Sequence, residues 1–147
     1  MRKSVSLFFV FFAFVFTASA QLRKIPSEVT DAFQAKYPTA RNVEYSDMLA
    51  TIHVHFMLDS ARMLAKYNPN GLWKETEKEW SFDRLGKEVQ EGFEKSKYAA
   101  DWKIKEATII YLPGGEQYRI KVEKNNLKKK YLFFDKKGRL LRDSLTI

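Results

Sequence analysis

Two kinds of periodicity alternate along this chain, and the alternation happens twice. Between Ile25 and Pro38, Val29, Ala32, Phe33 and Tyr37 recur at helical spacing and form one apolar stripe. Pro26 suits the first turn, Glu28 and Asp31 favour the positive end of the helix dipole, and Pro38 forces a stop near Lys36. The period then changes to two. In 50–58, Ile52, Val54, Phe56 and Leu58 point one way, and Thr51, His53, His55 and Met57 the other. Asp59-Ser60 reads as a turn, 61–67 as a return strand, and 72–80 as a further strand. With a short first strand over 42–45, this half is a helix followed by four antiparallel strands.

The second half repeats the plan. Phe82, Leu85, Val89 and Phe93 recur at helical spacing, and strands are expected over 102–112, 116–124, 128–135 and 139–145. Pro113-Gly114-Gly115 and Asn125-Asn126 supply turns between them. Glu28, Val29 and Phe33 align with Glu88, Val89 and Phe93 at a constant shift of 60. Asn68-Pro69-Asn70-Gly71 and Asp135-Lys136-Lys137-Gly138 read as matching hairpin turns at a shift of 67. The expected fold is therefore α+β. Two tandem repeats, about 25–80 and 82–145, each a helix plus about four antiparallel strands, form one larger sheet with both helices packed on one face.

The first twenty residues stand apart from this pattern. Arg2 and Lys3 precede an apolar run over 7–16 that is too short for a membrane span, and Ala18-Ser19-Ala20 is a small-residue cleavage site. This predicts a cleaved export signal over 1–20, a single domain over 21–147, a periplasmic or secreted location, and no membrane span after cleavage. The chain has no Cys, so neither a lipid-attachment cysteine nor a disulfide is available, and stability must come from the core. Setting aside Arg2 and Lys3 takes the 26 Lys and Arg to 24 against 18 Asp and Glu. For an exported chain that surplus points to a solvated basic surface or to envelope polyanions and acidic proteins, not to nucleic acid.

The residues supply little for catalysis. There is no Cys nucleophile, no glycine-rich phosphate loop, no nucleophile elbow, and His occurs twice. The expectation is that the protein is no enzyme. Glu75, Glu77 and Glu79 share one face of a strand and read as a solvated stripe, with Lys74 and Lys78 nearby. His53 and His55 share a face and could begin a metal site, but no third ligand is evident, so neither metal nor cofactor is expected. What remains is the open sheet face, where Thr51, His53, His55 and Met57 are joined by Arg119 and Lys121 from the second repeat and by Tyr131 and Phe133. Aromatic and Arg residues with few competing acids are what a partner surface offers. The run Lys128-Lys129-Lys130 with Lys124 could draw phosphate-rich partners, or blunt an edge strand.

The motif Ile25-Pro26-x-x-Val29-x-x-x-Phe33-x-x-x-Tyr37-Pro38-x-Ala40, followed by alternating strands and an aromatic-Asp/Asn-x-x-Gly hairpin, resembles the PepSY-like exported proteins. These are related in fold to the beta-lactamase inhibitor protein. The resemblance runs from about Ile25 to Leu145, with two departures: Asn68 stands in place of Asp in the first hairpin, and Lys97-Tyr98-Ala99 replaces a Tyr-Pro exit from the second helix. It implies a non-catalytic periplasmic or secreted domain, and the leading expectation is a binding or inhibitory protein that uses its open sheet face to hold a protein or peptide. The alternative is a sensor of an envelope polyanion or small ligand, acting through the basic hairpins.

Overall fold

The computed structural model describes residues 24–145. The expected export signal lies outside them. Among the described residues the chain forms helix α1 (Ser27–Lys36), strands β1 (Arg41–Met48), β2 (Thr51–Leu58), β3 (Ala61–Tyr67) and β4 (Trp73–Trp80), a 3-10 turn (Phe82–Arg84), helix α2 (Lys87–Glu94), and strands β5 (Lys103–Leu112), β6 (Gly115–Lys124), β7 (Lys128–Asp135) and β8 (Leu140–Leu145). It is an α+β fold with one eight-stranded sheet in the order β1 to β8, antiparallel at every step. Each strand pairs with its neighbours in sequence.

Helix α1 ends where Pro38 requires, with Tyr37 N–H closing on the Phe33 carbonyl at 2.8 Å. The second helix departs from its expected length. Phe82 and Leu85 keep the apolar spacing and join the core, but the backbone over Phe82–Arg84 is a 3-10 turn and becomes extended at Leu85, so α2 starts only after Gly86. Gln90 fastens this break, its side-chain amide donating to the Leu85 carbonyl at 2.7 Å. Strand β1 is longer than expected, running on to Met48 before a turn.

The core is two apolar clusters. In the first, Val29 and Phe33 of α1 meet Ile52, Val54, Phe56, Ala65 and Tyr67; in the second, Val89 and Phe93 of α2 meet Ile120, Val122, Leu132 and Phe134. Trp80, the last residue of β4, packs against both.

The two hairpins at 68–71 and 135–138 share one bonding pattern. Gly71 N–H donates to the Asn68 carbonyl and Gly138 N–H to that of Asp135, each at 3.0 Å, while Asn68 and Asp135 N–H reach the carbonyls of Leu72 and Arg139. Both glycines take left-handed φ, +84° and +74°. A second constraint was not visible in the sequence. A Cβ on Gly71 would meet the backbone carbonyl of Glu28 in α1, and one on Gly138 would overlap that of Glu88 in α2. Beside these turns the pairing register shifts between Lys66 and Tyr67 and again between Phe133 and Phe134.

Candidate binding face

Strand alternation and the register determine which side chains share a side of the sheet. His53 lies opposite Ser46 and Lys66, and His55 opposite Glu44 and Leu64; Met57 pairs with Arg62, and Thr51 with Met48. Across the sheet Lys66 pairs with Glu75, Leu64 with Glu77, Glu77 with Ile110, Thr108 with Arg119, Arg119 with Phe133 and Lys121 with Tyr131. Directly paired residues project to the same side. Thr51, His53, His55, Met57, Arg119, Lys121, Tyr131 and Phe133 therefore all fall on one side, facing away from Ile52, Val54, Ile120 and Leu132 of the core.

Their availability differs. His55 is exposed and Thr51, His53, Met57, Arg119, Lys121 and Tyr131 are half-buried, but Phe133 is only 7% exposed. The Arg142 guanidinium from β8 lies 3.4 Å from the centre of the Phe133 ring and covers it, so Phe133 offers little surface of its own.

The acids correct the sequence expectation more sharply. Glu75, Glu77 and Glu79 do share a side, but it is the side of Arg119, and Glu77 is no solvated stripe: its side chain is 13% exposed. Lys66 Nζ donates to Glu75 and Glu77, both at 2.7 Å, and Arg119 donates to the other oxygen of Glu77 at 2.5 Å. Burial pushes the Glu77 carboxyl up, but Arg119 and Lys66 outweigh it and hold the group below its ordinary value. Lys66 shows the converse: burial pulls it down, and the bonds to Glu75 and Glu77 bring the net shift upward. Lys74 and Lys78, near the glutamates in sequence, alternate to the opposite side, where Lys78 lies 4.1 Å from the Trp80 ring centre. Lys121 is likewise paired, to Glu106 at 2.6 Å, and the Arg119 guanidinium also stands 5.1 Å from the Tyr131 ring centre.

The paired charges border a hollow of about 750 Å³, lined by His55, Met57, Arg62, Leu64, Glu77, Thr108 and Arg119 among others. Sequence reasoning missed Lys66, Thr108, Glu106 and Arg142. Each is placed by its cross-strand partner, and strand alternation alone does not reveal the partner. His53 has its pKa lowered, chiefly by burial, then by Lys66 and His55 against the pull of Glu77 and Glu75. Among the described residues no three His, Cys, Asp or Glu side chains are grouped to hold a metal ion, and no helix is long and apolar enough to cross a membrane.

Two helices and one antiparallel sheet of eight strands in sequence order make up the described α+β fold, which is similar to that of a BLIP-like protein. No protein-family model and no curated protein matches the chain, but solved structures do. A BLIP-like protein from Bacteroides fragilis is 25% identical with a TM-score of 0.76, over 82% of this chain and 86% of that one. A DUF2874 family protein from Bacteroides ovatus is 27% identical with a TM-score of 0.78, over 83% and 88%. A protein from Bacteroides eggerthii, provisionally described as periplasmic, has a TM-score of 0.76 at 23% identity, over 83% and 89%.

Proposed function

We propose that this is an exported, non-catalytic binding or inhibitory protein of the PepSY-like kind, which holds a protein or peptide of the cell envelope on the open side of its sheet. The observation that carries the reading is the hollow bordered by Glu77 and Arg119, with Lys66 bonded to Glu77 beside it. There Glu77 and Arg119 are spent on one another, leaving His55, Met57 and Leu64 in the lining, with Tyr131 beside Arg119. Such a surface favours contact by shape and apolar area over long-range attraction. The BLIP-like neighbour supports an inhibitor-like role, and the provisional description of the Bacteroides eggerthii protein supports a periplasmic location, in line with the export signal expected from the sequence.

In this reading the chain is two tandem helix-and-strand units whose helices cover the same face, leaving the other for the partner. Three structural correspondences support it. Register shifts recur at 66/67 and 133/134, turn glycines recur at 71 and 138, and each turn glycine abuts the carbonyl of the matching helix residue, Glu28 or Glu88.

Capture from envelope extract tests the role. The same protein should be retained at low and high salt, cross-link to the β2, β3 and β6 side of the sheet, and be lost in His55→Ala/Tyr131→Ala. Capture that disappears as ionic strength rises would instead favour the polyanion reading, which rests on exposed Lys128 and Lys129 at the β6–β7 hairpin.

A further inference from the structure

The side of the sheet facing away from the proposed partner surface carries a separate cleft of about 990 Å³, between the C-terminal end of α1 and the hairpins at 112–115 and 135–139. We propose that this cleft binds an amphipathic carboxylate: one acid group on an apolar or aromatic body. Its volume lies at the upper end of the roughly 300–1,000 Å³ typical of small-molecule sites.

The apolar part of the argument rests on Tyr37, Trp73, Tyr111 and Met63, which line the cleft. Two of these rings are held in place from beneath. Thr76 is fully buried, its hydroxyl 2.6 Å from Tyr37 Oη and accepting from Trp73 Nε1 at 2.9 Å. Tyr111 stands directly opposite Thr76 on β5. The aromatic wall is thus built before any ligand arrives, which reduces the ordering cost of binding.

The charge selects an anion. Lys36 Nζ lies 3.9 Å from the centre of the Trp73 ring and Lys78 Nζ 4.1 Å from that of Trp80. Among the described residues neither of these, nor Lys137, has a carboxylate partner. The acids of the cleft are mostly committed. Asp135 accepts from Arg139 Nε at 2.7 Å and from two backbone N–H groups, and Glu116 accepts from Tyr118 at 2.7 Å with Lys136 at 3.6 Å. Asp59, exposed, is the remaining one. Three cations beside one unspent acid, next to an aromatic wall, complement a ligand that is apolar along its length and anionic at one end.

Calorimetric titration of the purified protein with dodecanoate, kept far below micellar concentration, tests this. One saturable site is expected, with 1-dodecanol binding about tenfold more weakly because it lacks the charge-assisted contact. Lys36→Gln/Lys78→Gln should lose about tenfold for dodecanoate and little for the alcohol, with an unchanged circular dichroism spectrum. Tyr131→Ala, on the other side of the sheet, should bind dodecanoate as wild type does. Absence of saturation, equal affinity for acid and alcohol, undiminished affinity in the double Lys variant, or loss in Tyr131→Ala would each overturn the proposal. None of these outcomes bears on envelope-protein capture, which uses the other side.

Discussion

Glu77 sits between Lys66 and Arg119 with both carboxylate oxygens engaged, so replacing it leaves half-buried Arg119 without its carboxylate and Lys66 with Glu75 alone. Glu77→Gln should lower unfolding stability by about 2 kcal/mol, less than the loss of a fully buried pair because water still reaches the site. The acid limb gives a second readout. A carboxylate held below its ordinary value of 4.5 stabilises the fold above that pH and loses the contribution as pH falls through the folded-state value. Urea unfolding from pH 5 downward should therefore decline more steeply in wild type than in Glu77→Gln. At the same scale, Asp135 reads from the sequence as a turn-opening residue, and it behaves as one: its carboxylate accepts from Lys137 N–H at 2.9 Å and Arg139 N–H at 3.0 Å. The role of Glu77 was not legible. Alternation put it on the correct side, but the register that brings Arg119 within reach across β5 is set by turns and bulges far along the chain.

Helix α2 is eight residues long, too short to persist on propensity, so its place depends on Val89 and Phe93 entering the second cluster. Phe93→Ala, and Phe33→Ala in α1, should each cost about 3–5 kcal/mol in chemical denaturation. The turn glycines hold the helices from the other side. Gly138→Ala should destabilise by more than about 1 kcal/mol, since it combines a left-handed φ with overlap on the Glu88 carbonyl; Gly71→Ala should behave alike, and both are read from denaturant midpoints. The clarity of the helices in the sequence follows from their ends. Two prolines punctuate α1: the stop near Lys36 is readable from Pro38, while Pro26, expected in the first turn, stands just ahead of it as the N-cap. Around α2 the apolar spacing from Phe82 to Phe93 persists through a 3-10 turn and an extended Leu85, because spacing records which side chains reach the core and not the backbone that carries them. Strand limits were readable wherever Gly, Asn or Asp marked a turn. The strand expected over 42–45 falls short of β1 because the residues of β1, largely exposed, show little apolar alternation.

Across the whole molecule the two apolar clusters meet at Trp80, whose ring lies near Lys78 and the Arg84 guanidinium, with Nε1 donating to the Arg84 carbonyl at 3.2 Å. Trp80→Ala should loosen the coupling between the clusters as well as lower stability. In scanning calorimetry the wild type should show a single transition with matching calorimetric and van't Hoff enthalpies, and the variant a calorimetric enthalpy in excess. A variant that melts as sharply as wild type would place the coupling elsewhere, in the β4–β5 hydrogen bonds.

The strand order also dictates a sequence of assembly. Among the described residues seven pairings join strands adjacent in the chain, and six of them cross only a tight turn; the β4–β5 pairing alone must close the longer connection over 81–102. Loop closure is therefore concentrated in one event, and doubling that connection would add only about 0.6 kcal/mol. A chain delivered N-terminus first can complete α1 through β4 before β5 appears, then zip the remaining hairpins onto the waiting edge of β4. Contacts this local favour rapid folding for an all-antiparallel sheet of eight strands, and the edge of β4 is the surface that needs protection until its neighbour arrives.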